Sequence, residues 1–298
     1  MLYGAYYTPT SLEEALDYLS SLGGRGWVIA GGTDLIPQLK DTPRVDKVLI
    51  DISRIPSLKE ISLVDNVLTI GSAVTHASLG SSKTVWQRAT ALVEAAQSVG
   101  STQIRNQGTV GGNVVSALPA GDVAVGLVAF AALAEGYSID GRSLEEEILN
   151  LYKGLGLSKI DPAKEIITQF KIRLPTKGSY GSSFMRLSKR KALSLPILNC
   201  GVVVVLEEER IIDCRIVVAP VAPVPFRARS AEGLLIGKEI NEGLIEQASR
   251  EASVKADPRD SIFRGSAGYR KEMVRVLVQR GLTKAIKRAK VSSVIPVV

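Results

Sequence analysis

Residues 101–122 of this 298-residue chain, STQIRNQGTVGGNVVSALPAGD, constrain its fold more than any other stretch. They are rich in Gly, Ser, Thr and Asn yet carry little charge, and they join two segments with helical apolar spacing, 86–99 and 123–134. A polar but uncharged connection of this kind is unusual for a plain surface loop. It contains TVGGN at 109–113, and a second Gly-Gly pair stands earlier, in IAGGTDLI at 29–36. Any fold for this chain has to accommodate both.

Around these elements the first half alternates between helix-like and strand-like segments. Residues 11–22 place Leu12, Ala15, Leu16 and Leu19 on one side, and Ser11 with Glu14 reads as a capping box. Strands are expected at 27–30, 48–52 and 67–72, with a short helix at 35–40. After a strand at 165–174 and a break at 175–181, two apolar runs, 197–206 and 210–219, are split by three glutamates and read as a hairpin. Turn-centred pairing sets Cys200 opposite Arg215 or Ile216. Two or three helices fill 230 to the end. GLLIGKE at 233–239 is one residue short of a phosphate-binding loop and reads as a helix end stopped by glycine. The expected fold is α+β in two domains, 1–175 and 176–298.

Several function classes are excluded by what is scarce. The only cysteines, Cys200 and Cys214, have no C-x-x-C spacing and read as buried thiols; a cluster usually needs four. The only histidine, His76, follows a strand and opens a short helix-like segment, which suits a structural role better than a catalytic triad or a zinc site. No apolar run reaches the roughly 18 residues needed to span a bilayer, and the N-terminus lacks the regions of a signal peptide, so a cytoplasmic protein is expected. The net charge of +7 is concentrated after residue 263, where nine Lys and Arg face one acid, Glu272. That tail reads as one helix with Met273, Leu277, Gly281, Ala285 and Ala289 along one stripe. Its basic face is open to three readings: solvated surface, a dock for an acidic partner, or an RNA contact, the last weakened by the lack of aromatics after Tyr269.

The glycine elements carry the chemistry. In 29–36 a strand ends at two glycines and a helix starts at Thr33-Asp34. Glycines let a ligand approach the main chain, and a helix start offers unpaired amides and a partial positive charge that suit phosphate. The plainer reading is a strand–turn–helix with Thr33 as N-cap. Two such elements could clamp both phosphates of a dinucleotide. Asp122, before a helix, could cap that helix or accept hydrogen bonds from a ribose or ribityl hydroxyl. No G-x-G-x-x-G follows a strand, so a Rossmann site is not indicated.

IAGGTDLI, IRNQGTVGGNVVSALPAGD and FMRLSKRKALSLP, in this order and spacing, resemble the FAD-binding medium subunits of molybdenum hydroxylases of the xanthine and carbon monoxide dehydrogenase family. The resemblance covers most of the chain. It implies a two-part FAD-binding domain of the PCMH (vanillyl-alcohol oxidase) type, followed by a smaller α+β domain with an antiparallel sheet and helices. It also implies an FAD site made by Ile29, Ala30, Gly31, Gly32, Thr33 and Asp34 as a first phosphate loop. Thr109, Val110, Gly111, Gly112 and Asn113 would form a second, with Gly100 and Ser101 against the flavin. Asp122 would contact the cofactor, Ile167 would touch the adenine end through its backbone, and Arg186 stands where relatives often carry a cofactor-contacting Lys. By the same resemblance the chain is an oxidoreductase component, passing electrons from the [2Fe–2S] clusters of a small iron–sulfur subunit through FAD to an external acceptor. Molybdopterin would be held by a large subunit, in a dimer of heterotrimers without nucleic acid or membrane span. Relatives that reduce 4-hydroxybenzoyl-CoA carry a four-cysteine loop that is absent here, which implies the ordinary direction of flow. The remaining readings are a stand-alone flavin reductase or oxidase of the same fold (MurB-like) and a cofactor-free basic module that binds RNA or protein.

Overall fold

The computed structural model of the chain describes residues 1–190 and 193–292; Lys191 and Ala192 of the third motif lie outside that set. A small parallel sheet comes first, ordered Tyr3–Tyr7, Arg44–Asp51, Gly26–Ile29. A five-stranded antiparallel sheet follows, ordered Ile61–Val64, Val67–Gly71, Glu165–Arg173, Leu133–Ser138, Ser143–Glu147. The third is a four-stranded antiparallel sheet of Ser179–Ser188, Pro196–Glu207, Arg210–Ala219 and Phe226–Arg227. The α+β expectation holds, with the first two sheets and their helices forming a two-part body and the third sheet the C-terminal one.

The sheet of the C-terminal part is covered on both sides, which explains why Pro196–Glu207 is apolar almost throughout rather than alternating. One face meets the helix Asp122–Ala129: a methyl group placed on Gly201 would lie 3.2 Å from Ala129 Cβ. The other face carries the long helix Ala267–Ser292. A methyl on Gly181 would sit 2.1 Å from the Ala285 carbonyl oxygen, so only glycine allows this helix to lie so close. One apolar core therefore runs from Leu68 in the first part to Val203, Val217 and Ala219 in the second.

The long helix narrows the readings of the basic tail. Its stripe of Leu277, Gly281, Ala285 and Ala289 is buried on the sheet, and its cations are largely engaged inside the chain. Lys284 Nζ and Arg288 Nη2 donate to Glu94 Oε1 at 2.7 and 2.6 Å, Phe184 N donates to Glu94 Oε2 at 2.8 Å, and Lys290 pairs with Glu209. Burial raises the Glu94 carboxyl, but Arg288, Lys284 and the Phe184 amide outweigh it and hold it below the usual carboxylate range. Two of the tail's cations thus fasten the C-terminal helix to the helix Thr90–Ser98.

Local differences have local causes. The segment read as one helix at 86–99 is two, Lys83–Arg88 and Thr90–Ser98, broken at Ala89, whose backbone (φ −144°, ψ 56°) leaves the helical region and ends the first helix. The helix at 123–134 stops at Ala129, and Leu133 begins a strand. The capping box is half formed: Ser11 Oγ accepts from Glu14 N, while Glu14 Oε2 reaches back to Thr10 N at 2.7 Å rather than to Ser11 N. In the hairpin an irregularity between Val205 and Leu206 shifts the register, so Cys200 faces Val218 and Cys214 faces Val204. Both thiols are free and buried, and Gly237 stops the helix Arg229–Leu235 with φ of 79° as expected.

Candidate cofactor site

The first Gly-Gly element leaves the strand Gly26–Ile29 and enters the helix Leu35–Asp41. Thr33 is not the N-cap: the turn runs one residue further, Asp34 takes that position, and its side chain makes no capping bond. Gly32 turns the chain at φ of 66°, which L side chains rarely adopt. The helix begins its own bonding with Ile36 N on Gly32 O. Among the described residues the amides of Gly31, Gly32, Thr33, Asp34 and Leu35 donate to no protein acceptor. A run of unpaired amides at the positive end of a helix is a cradle for anionic oxygen.

The second element is built differently. Thr109 is the N-cap of the helix Val110–Val115 and accepts from Gly112 N at 3.1 Å. Val110 N donates to Val74 O, Gly111 N to Ser72 O and Asn113 N to Thr109 O, so the four amides from Val110 to Asn113 all have partners in the chain. Gly111 is held by close approach: a methyl there would meet Ser72 Cβ and Ser72 O at 2.8 Å. Gly112 is exposed, and a methyl there would meet only Thr109 Oγ1, at 3.1 Å.

The structure brings the two elements together. A methyl on Gly31 would lie 2.0 Å from Gln107 O and 2.9 Å from Gly108 Cα, so the first turn is seated on the residues that lead into the second. Beneath the joint, Ser72 Oγ and His76 Nδ1 are buried with no hydrogen-bond partner among the described residues. Burial, helped by the Arg105 charge, pushes His76 down to about 4, so its ring is neutral at pH 7. Ile167 lies in the central strand of the five-stranded sheet opposite Gly136, and its neighbour Thr168 accepts from Ser72 N through its carbonyl.

A second group of residues surrounds Asp122. This residue is 5% exposed and opens the helix Asp122–Ala129, but Gly121 is the N-cap, so the Asp122 carboxylate is not capping. It accepts from Arg186 Nη1 at 2.9 Å and from Asn199 Nδ2 at 2.9 Å. Arg186 also donates to the carbonyls of Ser98 and Ser194. Burial pushes the Asp122 carboxyl up, against the pull of Arg186. Leu193 N donates to Gly100 O, and Ser101 caps the helix Thr102–Gln107 through Ile104 N, which ties Gly100 and Ser101 to the same network. Asn113 joins the two groups, because its Oδ1 accepts from Ala124 N at 3.0 Å in the helix that Asp122 opens.

Sequence reasoning missed Asn199, Ser72 and the position of His76. Asn199 had a signal: it is the one polar side chain in the apolar run ILNCGVVVV, and such a residue in a buried strand needs a partner. Ser72 had none.

The donor set fits a dinucleotide. Unpaired amides and a helix start suit a diphosphate, and buried polar atoms lie beside them. The cysteines fit no cluster: burial pushes Cys200 to about 12 and Cys214 well above its ordinary value, four residues apart on one strand pair. Among the described residues no group of His, Cys, Asp and Glu could hold a metal ion, and no helix is long and apolar enough to cross a membrane.

Comparison with known proteins agrees with the geometry. Residues 2–177 match the family model of the FAD binding domain in molybdopterin dehydrogenase, and residues 183–285 match the CO dehydrogenase flavoprotein C-terminal domain. The chain is 32% identical over 289 residues to the 6-hydroxypseudooxynicotine dehydrogenase complex subunit alpha of Paenarthrobacter nicotinovorans, covering 96% of this chain and 95% of that protein. It is 26% identical to the xanthine dehydrogenase FAD-binding subunit of Escherichia coli O157:H7, covering 96% and 97%. A chain of the crystal structure of Cu,Mo-CO dehydrogenase in its cyanide-inactivated form superposes with a TM-score of 0.87 at 26% identity, covering 97% of this chain and 100% of that one. The chain belongs to this family: it is a FAD-binding medium subunit of the xanthine and carbon monoxide dehydrogenase type, an oxidoreductase component.

Proposed function

We propose that the chain relays electrons from [2Fe–2S] clusters on a small partner subunit to an external acceptor, within a complex whose large subunit holds molybdopterin. The observation that carries this reading is the set of unpaired amides from Gly31 to Leu35, seated through Gly31 on the approach to the second glycine element. Bound FAD supplies the chemistry, because it exchanges electrons singly with clusters and singly or in pairs with acceptors. The chain's own residues bind and position. Ile29 to Asp34 cradle the diphosphate, and Thr109 to Asn113 present the exposed Gly112 edge from the opposite side. Gly100 and Ser101 border the flavin end, and Ile167 the adenine end. Asp122 and Arg186 act as a joined pair there, with Arg186 held by Asp122, Ser98 and Ser194 rather than extended as a free cation. The domain boundary is placed at 175/176, supported by the family matches that end at 177 and begin at 183.

This reading assigns none of the chain's residues to acid–base work and gives the chain no substrate chemistry of its own. The isolated flavoprotein should be bleached by dithionite and left unchanged by aldehydes, purines and N-heterocycles. Bleaching by any of these substrates at catalytic rates, without a partner, would replace the relay with a stand-alone flavoenzyme.

A further inference from the structure

Asn199 is fully buried in the apolar strand Pro196–Glu207, where an amide needs a partner to offset its burial. It stands two residues before Gly201, on the sheet face that meets the helix Asp122–Ala129. Across the ladder it is paired with Arg186. The register therefore sets an amide and a guanidinium side by side under the start of one helix. Each takes one oxygen of the Asp122 carboxylate: Asn199 Nδ2 donates to Oδ1 and Arg186 Nη1 to Oδ2, both at 2.9 Å.

The orientation of the amide shows its task. Nδ2 also faces Ala120 O at 3.4 Å, so two acceptors hold the NH2 group on this side. Oδ1 is left buried without a partner among the described residues. An unbonded buried acceptor destabilises the fold, and here it accompanies a donor turned to a carboxylate. Arg186 divides its Nη groups between Asp122 and the carbonyls of Ser98 and Ser194, and its Nε stays unbonded. Burial drives the Asp122 carboxyl up, and Arg186, then Asn199 and Ser98, pull it back. With the carboxylate held between them, the charges of Asp122 and Arg186 cancel. Without the amide the buried carboxyl takes up a proton more readily, and Arg186 keeps an unbalanced charge. A positive charge beside a flavin favours the reduced form, which is more negative than the oxidised one.

We propose that Asn199 is a positioning residue for the flavin: by holding Asp122 Oδ1 it keeps the carboxylate turned to Arg186, so that no unneutralised cation stands at the flavin end. This rests on the placement of Asp122 and Arg186 at that end in the reading above. The test uses the full chain loaded with FAD, titrated with a chemical reductant against a reference dye. In Asn199→Val the affinity for reduced over oxidised FAD should rise at least about tenfold, equivalent to a midpoint potential about 30 mV more positive. In an Asp122→Asn background the same substitution should change that ratio by less than about threefold, because the group through which Asn199 acts is gone. A shift of equal size in both backgrounds would overturn the proposal, since altered packing acts whether or not position 122 is charged. So would an unmoved potential in folded Asn199→Val beside a shifted one in Arg186→Gln. Should Asn199→Val fail to fold, Asn199→Ser keeps a polar group in the strand but one too short to reach Asp122 Oδ1. The same rise is expected there, and its absence would count equally against the role of Asn199. Potentials unmoved in the Asn199 variant and in Arg186→Gln alike would place the flavin away from this cluster, defeating the reading of the site and the proposal with it.

Discussion

At Gly31–Gly32 the backbone leaves its amides open to a ligand, whereas at Gly111–Gly112 it uses every amide inside the protein. The amides of the first turn meet no acceptor among the described residues, and its cap residue Asp34 makes no capping bond. The second follows Thr109, whose hydroxyl and carbonyl take Gly112 N and Asn113 N, while Ser72 and Val74 take the rest. A Gly-Gly pair therefore reports that something comes close to the main chain, not what comes close. At Gly111 it is Ser72; at Gly31 it is the other element; only at Gly112 does the open side face solvent.

That contrast can be broken in four places, in order of falling effect on stability. Gly31→Val sets a side chain against a backbone carbonyl 2.0 Å from its Cβ. It should cost about 3 kcal/mol or more, since overpacking against main chain finds no relief, and should abolish flavin binding by separating the elements. Urea unfolding and the flavin absorption band check both.

Next comes pH. The unfolded chain takes up a proton at His76 near 6.5, while the folded chain keeps the ring neutral down to about 4. The unfolded state thus binds more protons across that window, and stability falls as pH drops from 6.5 to about 4, by up to about 3 kcal/mol. His76→Phe should flatten this part of the stability–pH curve; an unchanged slope would mean that the ring under the second element is not held neutral. Gly111→Ala, pressing on Ser72 at 2.8 Å, should cost about 1–3 kcal/mol by urea midpoint, with flavin content reduced in proportion to misfolding. Gly112→Val should leave stability within about 0.5 kcal/mol, because its neighbourhood is open, yet remove FAD. Retained FAD in a folded Gly112→Val chain would assign the cofactor to the first element alone.

Much of this was legible in the residues. Ser11, Thr75, Ser101 and Thr109 each precede a helix and cap it, because a short hydroxyl side chain can reach the amide three residues on. The glycine elements were found as a pair, and the buried thiols and the structural histidine followed from their number and setting. The electrostatics were not legible. Glu94 is the one acid of the helix Thr90–Ser98, and only the fold brings Lys284 and Arg288 to it from 190 and 194 residues away. The sequence therefore left the tail's charge open between surface, partner and RNA, whereas two of its cations close an internal contact. The reading of Asp122 as a helix cap failed for the same reason: its local neighbours suggest a cap, and its actual partners, Arg186 and Asn199, stand 64 and 77 residues on.

The claim on which the rest depends is that the paired glycine elements hold FAD. The most direct measurement is chromatographic identification of the cofactor released from the purified chain, alongside its absorption spectrum. The account predicts FAD bound in stoichiometric amount, regained when the stripped chain is incubated with FAD. Recovery of FMN alone, or a chain that stays colourless after reconstitution with FAD, would contradict it.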